Sequence, residues 1–338
     1  MIPNSRMKAA LMVAMALRNG TLAGVTTCLV TGAAGFIGSH LTERLLELDF
    51  KVIGVDNLSL GRLSNLSDAF KNSRFNFIDC DVNNYERLLA CIGPSADIDM
   101  VWHLAANSDI RIGDPEIELK NTFLTTFNVI KLMQSLSIYK LVFASSSAIY
   151  GTLADMVDES SGPLQPISNY GAMKLASEAY ISAAIENFLQ RAWIFRFPNV
   201  VGSHATHGVI YDLINKLKQN PQDLEVLGDG CQTKPYVHVS ELVKAMIYLV
   251  DHANYESLNH VNISTEGTAT KVEDIARSVV RTVSPGARIR YTGGAAWPGD
   301  VPKYSFSIEK LRGYGVVPKM TSNEAVELAI NEITAELA

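Results

Sequence analysis

Thr31-Gly32-Ala33-Ala34-Gly35-Phe36-Ile37-Gly38 is a glycine-rich turn between two unlike segments. Before it, Cys28-Leu29-Val30 is a short apolar run of the kind that forms a buried strand; after it, residues 37–48 repeat apolar side chains at helical spacing. A strand, a glycine turn and a helix in that order build a phosphate cradle. The first glycine permits the tight turn, the second lets backbone approach a pyrophosphate, and the third lets the helix pack closely on the strand. The N–H groups and dipole of the helix start then face the anion. Three glycines at this spacing are weak evidence in a chain with 23 of them; the position at the first strand-to-helix turn gives them weight.

Outward from this turn the alternation continues. Residues 52–55, 75–78, 100–104, 141–144 and 192–196 are apolar strand candidates, and 121–136 and 168–188 carry helical periodicity. Strands separated by helices imply right-handed crossovers and a parallel sheet covered on both faces. After Gly202 short strands, helices and turns such as Gly228-Asp229-Gly230 mix without regular alternation. The expected fold is therefore α/β: a doubly wound parallel sheet over 25–202, with a smaller, interleaved α+β lobe over 203–338. Segments near 236–263 are expected to return to the sheet domain. Residues 1–24 stand apart: Arg6 and Lys8 precede the apolar run 9–17, which Arg18 closes. An extension outside the fold accounts for this better than an export signal, because no small-residue cleavage site follows.

Composition narrows the function classes. With 338 residues, 47% hydrophobic and 19% charged, the chain has the length of about two domains and a large core, which excludes disorder and a disulfide-stapled mini-protein. Lys and Arg number 29 against 35 Asp and Glu, a net charge of −6 without a basic run, so no nucleic-acid footprint is present. No apolar stretch approaches the ~20 residues of a membrane span. Cys28, Cys80, Cys91 and Cys231 are scattered, with no C-x-x-C pair, so the expectation is reduced thiols in a cytoplasmic protein and no metal site.

Two further patterns carry chemistry. Asp56 ends the second strand, 18 residues past Gly38. A carboxylate there accepts hydrogen bonds from a ribose and repels a 2′-phosphate, which selects NAD over NADP. Tyr170 and Lys174 lie four apart at the head of a predicted helix, on one face, downstream of Ser145-Ser146-Ser147. A free phenol has a pKa of ~10 and is a poor base at neutral pH. A neighbouring ammonium favours the phenolate and makes Tyr170 a candidate proton acceptor. His40, His103 and His238 have structural readings, as does Trp102 in an apolar strand.

The G-x-x-G-x-x-G spacing with Tyr-x-x-x-Lys resembles the short-chain dehydrogenase/reductase superfamily, and TGAAGFIG resembles its extended branch, the NAD-dependent nucleotide-sugar epimerases and dehydratases. The resemblance spans almost all of 26–328 and implies a Rossmann-type domain with a substrate lobe. It implies cofactor contacts from Gly32, Gly35, Phe36, Ile37, Gly38, Asp56 and Asn57, from the Asp81-Val82 pair at the adenine, and from Leu104, Ala105, Ala106, Asn121, Phe197 and Pro198. It assigns catalysis to Ser146, Tyr170 and Lys174, with Ser147 as the alternative serine, and substrate contacts to Ser146, Ser147, Asn199, Lys234 and Asp300. Dehydratases of the branch carry Asp-Glu after the catalytic serine; this chain has Ser147 and Ala148. The implied reaction is therefore NAD-dependent epimerisation of a nucleotide-sugar at C4 through a 4-keto sugar. An oxidase or 4,6-dehydratase releasing a keto sugar is the alternative, and a non-catalytic NAD-binding regulator a distant one. Two family arginines are replaced, by Lys234 and within Ala295-Ala296-Trp297, which leaves nucleotide and sugar open. A homodimer through helices 121–136 and 168–188 is also implied.

Overall fold

The computed structural model describes residues 22, 24, 26–107, 113–153, 156–253, 256–267, 269–294, 301 and 303–338. The six apolar runs are strands β1 (Thr27–Thr31), β2 (Lys51–Asp56), β3 (Phe75–Asp79), β4 (Met100–His103), β5 (Lys140–Ala144) and β6 (Arg191–Arg196). Two residues later comes the short strand β7 (Asn199–Val201), which pairs in parallel with β8 (Tyr236–His238). The chain then re-enters the main sheet as β9 (Leu258–Asn262), parallel to β6. The seven-stranded sheet runs β9-β6-β5-β4-β1-β2-β3, every pair parallel.

Both faces are covered, which is why the strands read as unbroken apolar runs. Cys28 and Val30 of β1 point to one face with Val52, Trp102, Val142 and Phe195. Helices α1 (Phe36–Glu47) and α6 (Val239–His252) close that face. Leu29 points the other way with Val101, Leu141, Phe143 and Ile194, under α2 (Tyr85–Ile92), α3 (Leu124–Ser135) and α4 (Asn169–Asn187). Burial of each such Leu, Ile or Phe contributes about 1.5–3 kcal/mol. A separate cluster, built on α5 (Val209–Gln219), α7 (Val272–Val283) and α8 (Ser322–Glu336), forms the core of the second lobe.

Two details depart from the sequence reading. The helix expected to start at Asn121 begins at Pro115: Asp114 caps it, accepting from the N–H of Glu116 at 2.8 Å and of Ile117 at 3.2 Å. One α turn, Pro115–Glu118, and one π turn, Leu119–Phe123, lead directly into α3, so Asn121 sits in the π turn. Upstream of β1, Leu22 is buried in the core and its N–H donates to Asp251 of α6 at 3.2 Å, so packed structure reaches back beyond residue 25.

His103, at the end of β4, is buried between two threonines: Nδ1 lies 2.7 Å from Thr31 Oγ1 and Nε2 3.1 Å from Thr126 Oγ1. Burial pushes its pKa down to about 3, so it folds neutral. An unfolded histidine protonates near pH 6.5, so below that value the unfolded chain binds the extra proton and stability falls with pH. We expect this group to cost about 3 kcal/mol between pH 6.5 and pH 4. Thermal melts of wild type and H103N across that window test it; parallel curves would remove His103 as the cause.

Candidate active site

The strand order reverses between β1 and β4, and ligands of open parallel sheets sit at the carboxyl ends of strands at such a switch point. A cavity of about 860 Å³ opens there, between the sheet and the second lobe. At its floor lies the glycine turn. Gly32 has φ +72, and a Cβ on it would stand 2.9 Å from Ala105 N on the neighbouring strand end. A Cβ on Gly38 would stand 1.9 Å from Gly32 O, so α1 can lie this close to β1 only without one. No side chain caps the first turn of α1. A backbone cradle with an uncapped helix start fits a dinucleotide pyrophosphate.

Asp56 leaves β2 beside this cradle. Its Oδ2 accepts from Ala34 N–H at 3.0 Å and its Oδ1 from Leu58 N–H at 2.8 Å. Burial pushes the carboxyl above its ordinary range, and the N–H groups of Leu58, Ala34 and Gly35 pull it back. The sequence reading missed Gly61: a Cβ there would stand 2.9 Å from Asp56 Oδ1, so the 57–61 loop folds tightly over the carboxylate. A glycine a few residues after the strand-ending Asp-Asn pair was the available signal. We expect D56A to weaken NAD binding about tenfold or more, the worth of a charge-assisted hydrogen bond, while NADP binding improves. Titration of both cofactors measures this, and unchanged selectivity would remove Asp56 from the ribose site.

Ser146 stands just past β5 and Tyr170 and Lys174 in the first two turns of α4, whose N-cap Ser168 accepts from Gly171 N–H at 3.1 Å. Tyr170 keeps part of its surface open to the cavity while its phenol lies deep among protein atoms, beside Ser146. Lys174 is buried, donates to Ala144 O at 2.7 Å, and its Nζ lies 5.7 Å from the centre of the Tyr170 ring. Burial pushes the phenol well above the usual tyrosine range, and the nearby Glu118 charge adds to this, while Ser146 opposes it. Burial also brings Lys174 down to about 7, with Glu118 and Glu178 pulling it back up. Lys174 alone is therefore a weak source of phenolate, in keeping with a reading in which a positively charged nicotinamide ring would act beside it.

All of the expected cofactor positions line this cavity, from Phe36 and Ile37 through Asn57, Asp81, Val82, Leu104, Ala105 and Ala106 to Asn121, Phe197 and Pro198. Ser147, Asn199 and Lys234 line it too, Asn199 opening β7 and Lys234 buried near β8. Asp300 and the 295–297 stretch lie outside the described residues. Sequence reasoning also missed Asn107, whose N–H donates to Asn121 O at 3.0 Å and whose Nδ2 donates to Glu118 Oε1 at 2.7 Å. It missed Tyr304 as well, whose hydroxyl is 3.3 Å from Ser147 Oγ on the cavity wall; no local pattern marks that tyrosine. Among the described residues no group of three His, Cys, Asp or Glu side chains could hold a metal ion, and no helix is long and apolar enough to cross a membrane.

Comparison with known proteins agrees with this geometry. Residues 28–264 match the model of the NAD dependent epimerase/dehydratase family. A putative UDP-glucose 4-epimerase of Methanocaldococcus jannaschii is 30% identical over 310 residues, 90% of this chain and 97% of that protein. A crystal structure of a UDP-galactose 4-epimerase superposes with a TM-score of 0.82 at 34% identity, covering 93% of this chain and 100% of the other. The human dTDP-D-glucose 4,6-dehydratase is 23% identical over 315 residues, 89% of this chain and 88% of that one. The chain thus belongs to the NAD dependent epimerase/dehydratase family, as an NAD-using enzyme of the extended short-chain dehydrogenase/reductase type.

Proposed function

We propose that this enzyme inverts C4 of a nucleotide-linked hexose, most closely of the UDP-hexose kind, by removing hydride from that carbon and returning it to the opposite face. The observation that carries the proposal is the convergence of Ser146, Tyr170 and Lys174 on one cavity beside the glycine cradle, with Ser147 and Ala148 following the serine. Bound NAD supplies the hydride acceptor and a positively charged ring. Tyr170 takes the proton of the C4 hydroxyl and later gives it back. Ser146 holds the same oxygen, and Lys174 holds the cofactor ribose and lends positive charge to the phenol. The names of the M. jannaschii relative and the UDP-galactose 4-epimerase support the reaction and the nucleotide. Elimination of water across C5 and C6 would need an acid and a base where Ser147 and Ala148 stand, and neither side chain serves; the dehydratase reading rests on the names of the human and Bos taurus relatives.

On the sugar-nucleotide side we assign Asn199 and Lys234, together with Ser147 and Asp300. Lys234 meets a phosphate as a point charge, without the bidentate fork of an arginine. We also propose a homodimer: Leu119, Leu124 and Phe127 are more than a third exposed on the helix that begins at Pro115, and Phe127 stacks on Tyr180 of α4 at 5.6 Å, a ready apolar face. The four cysteines are all free, which supports a cytoplasmic setting.

The test is to release and identify the bound small molecules, then incubate the protein with UDP-, GDP-, dTDP- and CDP-sugars and read products by NMR. Retained NAD with a C4-inverted product and no added cofactor is the expected result. Release of a 4-keto sugar would overturn the epimerase in favour of the oxidase or dehydratase.

A further inference from the structure

Three consecutive residues at the end of β5 hold three successive turns of α4. Ala144 O accepts from Lys174 Nζ at 2.7 Å, Ser145 Oγ donates to Glu178 Oε1, and Ser146 stands beside Tyr170 on the cavity wall. Tyr170, Lys174 and Glu178 are spaced i, i+4, i+8, so they share the helix face turned to the strand. Glu178 and Ser145 are both buried; Glu178 stands back from the cavity lining, and Ser145 turns its hydroxyl to Glu178. The carboxylate is gripped from the far side by Arg196, at the end of β6: Nη2 to Oε2 is 2.7 Å and Nε to Oε1 is 3.1 Å. Arg196 Nη1 also donates to Tyr150 OH at 3.0 Å, and that hydroxyl donates to Asn262 Oδ1, at the end of β9, at 2.8 Å. The fork geometry and burial fix Glu178 relative to three strand ends at once.

We propose that Ser145 and Glu178 are positioning residues for the proton transfer, holding α4 in register with the end of β5 so that Ser146, Tyr170 and Lys174 meet. This rests on the roles given to those three residues above. An i+8 carboxylate tied to the residue before the catalytic serine couples a one-turn slip or tilt of α4 directly to the serine–tyrosine distance. A displacement near 1 Å in such a constellation costs about a hundredfold in rate. The charge of Glu178 also bears on Lys174, in company with Glu118, and the charge of Lys174 bears in turn on His103 on the same face of the sheet. Around Glu178 itself stand Arg196, Tyr150 behind it, and His260 with Nε2 at 3.8 Å. Loosening α4 draws Tyr170 away from Ser146, the group that opposes the upward push of burial on the phenol, so the phenol should ionise at higher pH.

The experiment compares wild type, S145A and E178Q by two readouts. The first is the ultraviolet titration of Tyr170, taken as the difference from Y170F with and without NAD, which needs no substrate. The second is kcat and KM for whichever nucleotide-sugar the wild type converts. In S145A we expect kcat to fall about tenfold or more with KM within about twofold and an unchanged melting temperature. In E178Q we expect the Tyr170 titration to move up by roughly one pH unit. If E178Q leaves Arg196 buried without its partner and fails to fold, S145A decides alone, since it keeps the ion pair. Wild-type titration and kcat in the folded variants would overturn the proposal, as would equal losses in kcat, KM and melting temperature. If the wild type converts no sugar, the functional reading falls, and the Tyr170 titration still decides this one.

Discussion

Y170F should lower kcat about a thousandfold, and the purified variant should still carry NAD. The phenol lies beside Ser146 in the cavity, and general acid–base catalysis is worth about 10²–10⁴ in rate. Phenylalanine keeps the ring, and with it the packing of the first turn of α4. Folding and the distant glycine cradle should therefore be untouched, and KM should change far less than kcat. The pH profile carries a second expectation. In the cofactor-free chain burial drives Tyr170 up and Lys174 down to about 7, both toward their neutral forms. Activity should then rise with pH as the phenol loses its proton, and NAD binding should move that limb to lower pH by adding positive charge. Steady-state kinetics with bound-NAD quantitation checks both; a Y170F enzyme within tenfold of wild type would assign the proton transfer elsewhere.

G38A should abolish measurable NAD retention, with affinity reduced about a hundredfold or more. A methyl at this position would sit 1.9 Å from Gly32 O, 2.8 Å from Gly32 C and 3.1 Å from Ala33 Cα. All three are backbone atoms of the turn itself, so no side chain can swing aside. Either α1 lifts from β1 or the turn opens, and the N–H groups of the helix start move with it. Overpacking of this kind also costs about 1–3 kcal/mol of stability, which a melt reads beside the binding titration. G35A is the control. Its methyl would lie 3.2 Å from Gly32 O, a tight contact that a few tenths of an ångström relieve, so its loss should be smaller. Equal NAD affinity in G38A and wild type would mean that the turn does not hold the pyrophosphate.

The fold was legible where one physical rule acted alone. The strands of a sheet covered on both faces are continuous apolar runs, so β1 to β6 stood out, and a glycine turn after the first of them fixed the cradle. The Rossmann-type doubly wound sheet followed. The last strand, Leu-Asn-His-Val-Asn at 258–262, gave no such signal, because it lies at the sheet edge and two of its asparagines are buried by hydrogen bonding. The start of the helix before α3 was missed although Asp114-Pro115 is a regular cap and first position; apolar periodicity was followed instead, and the π turn at Leu119–Phe123 breaks that periodicity. Motif residues of the site could be named from spacing. Gly61 carries a signal in its place after the Asp56-Asn57 pair, whereas Asn107 and Tyr304 carry none, because they come to the cavity through loops whose path the neighbouring residues do not dictate.

Because β9 lies some 230 residues beyond β1 yet pairs beside β6, the sheet is finished only late in synthesis. A ribosome that has released residues up to Gly202 has made six of the seven strands of the main sheet, without β9 at its edge or α6 on one of its faces. Until α6 and β9 emerge, β6 presents bare backbone along Arg191–Arg196 and the apolar face under α6 stands open. The nascent chain therefore passes through a stretch of synthesis in which it is open to pairing with other chains and to chaperone capture. Its first half cannot mature as an independent unit.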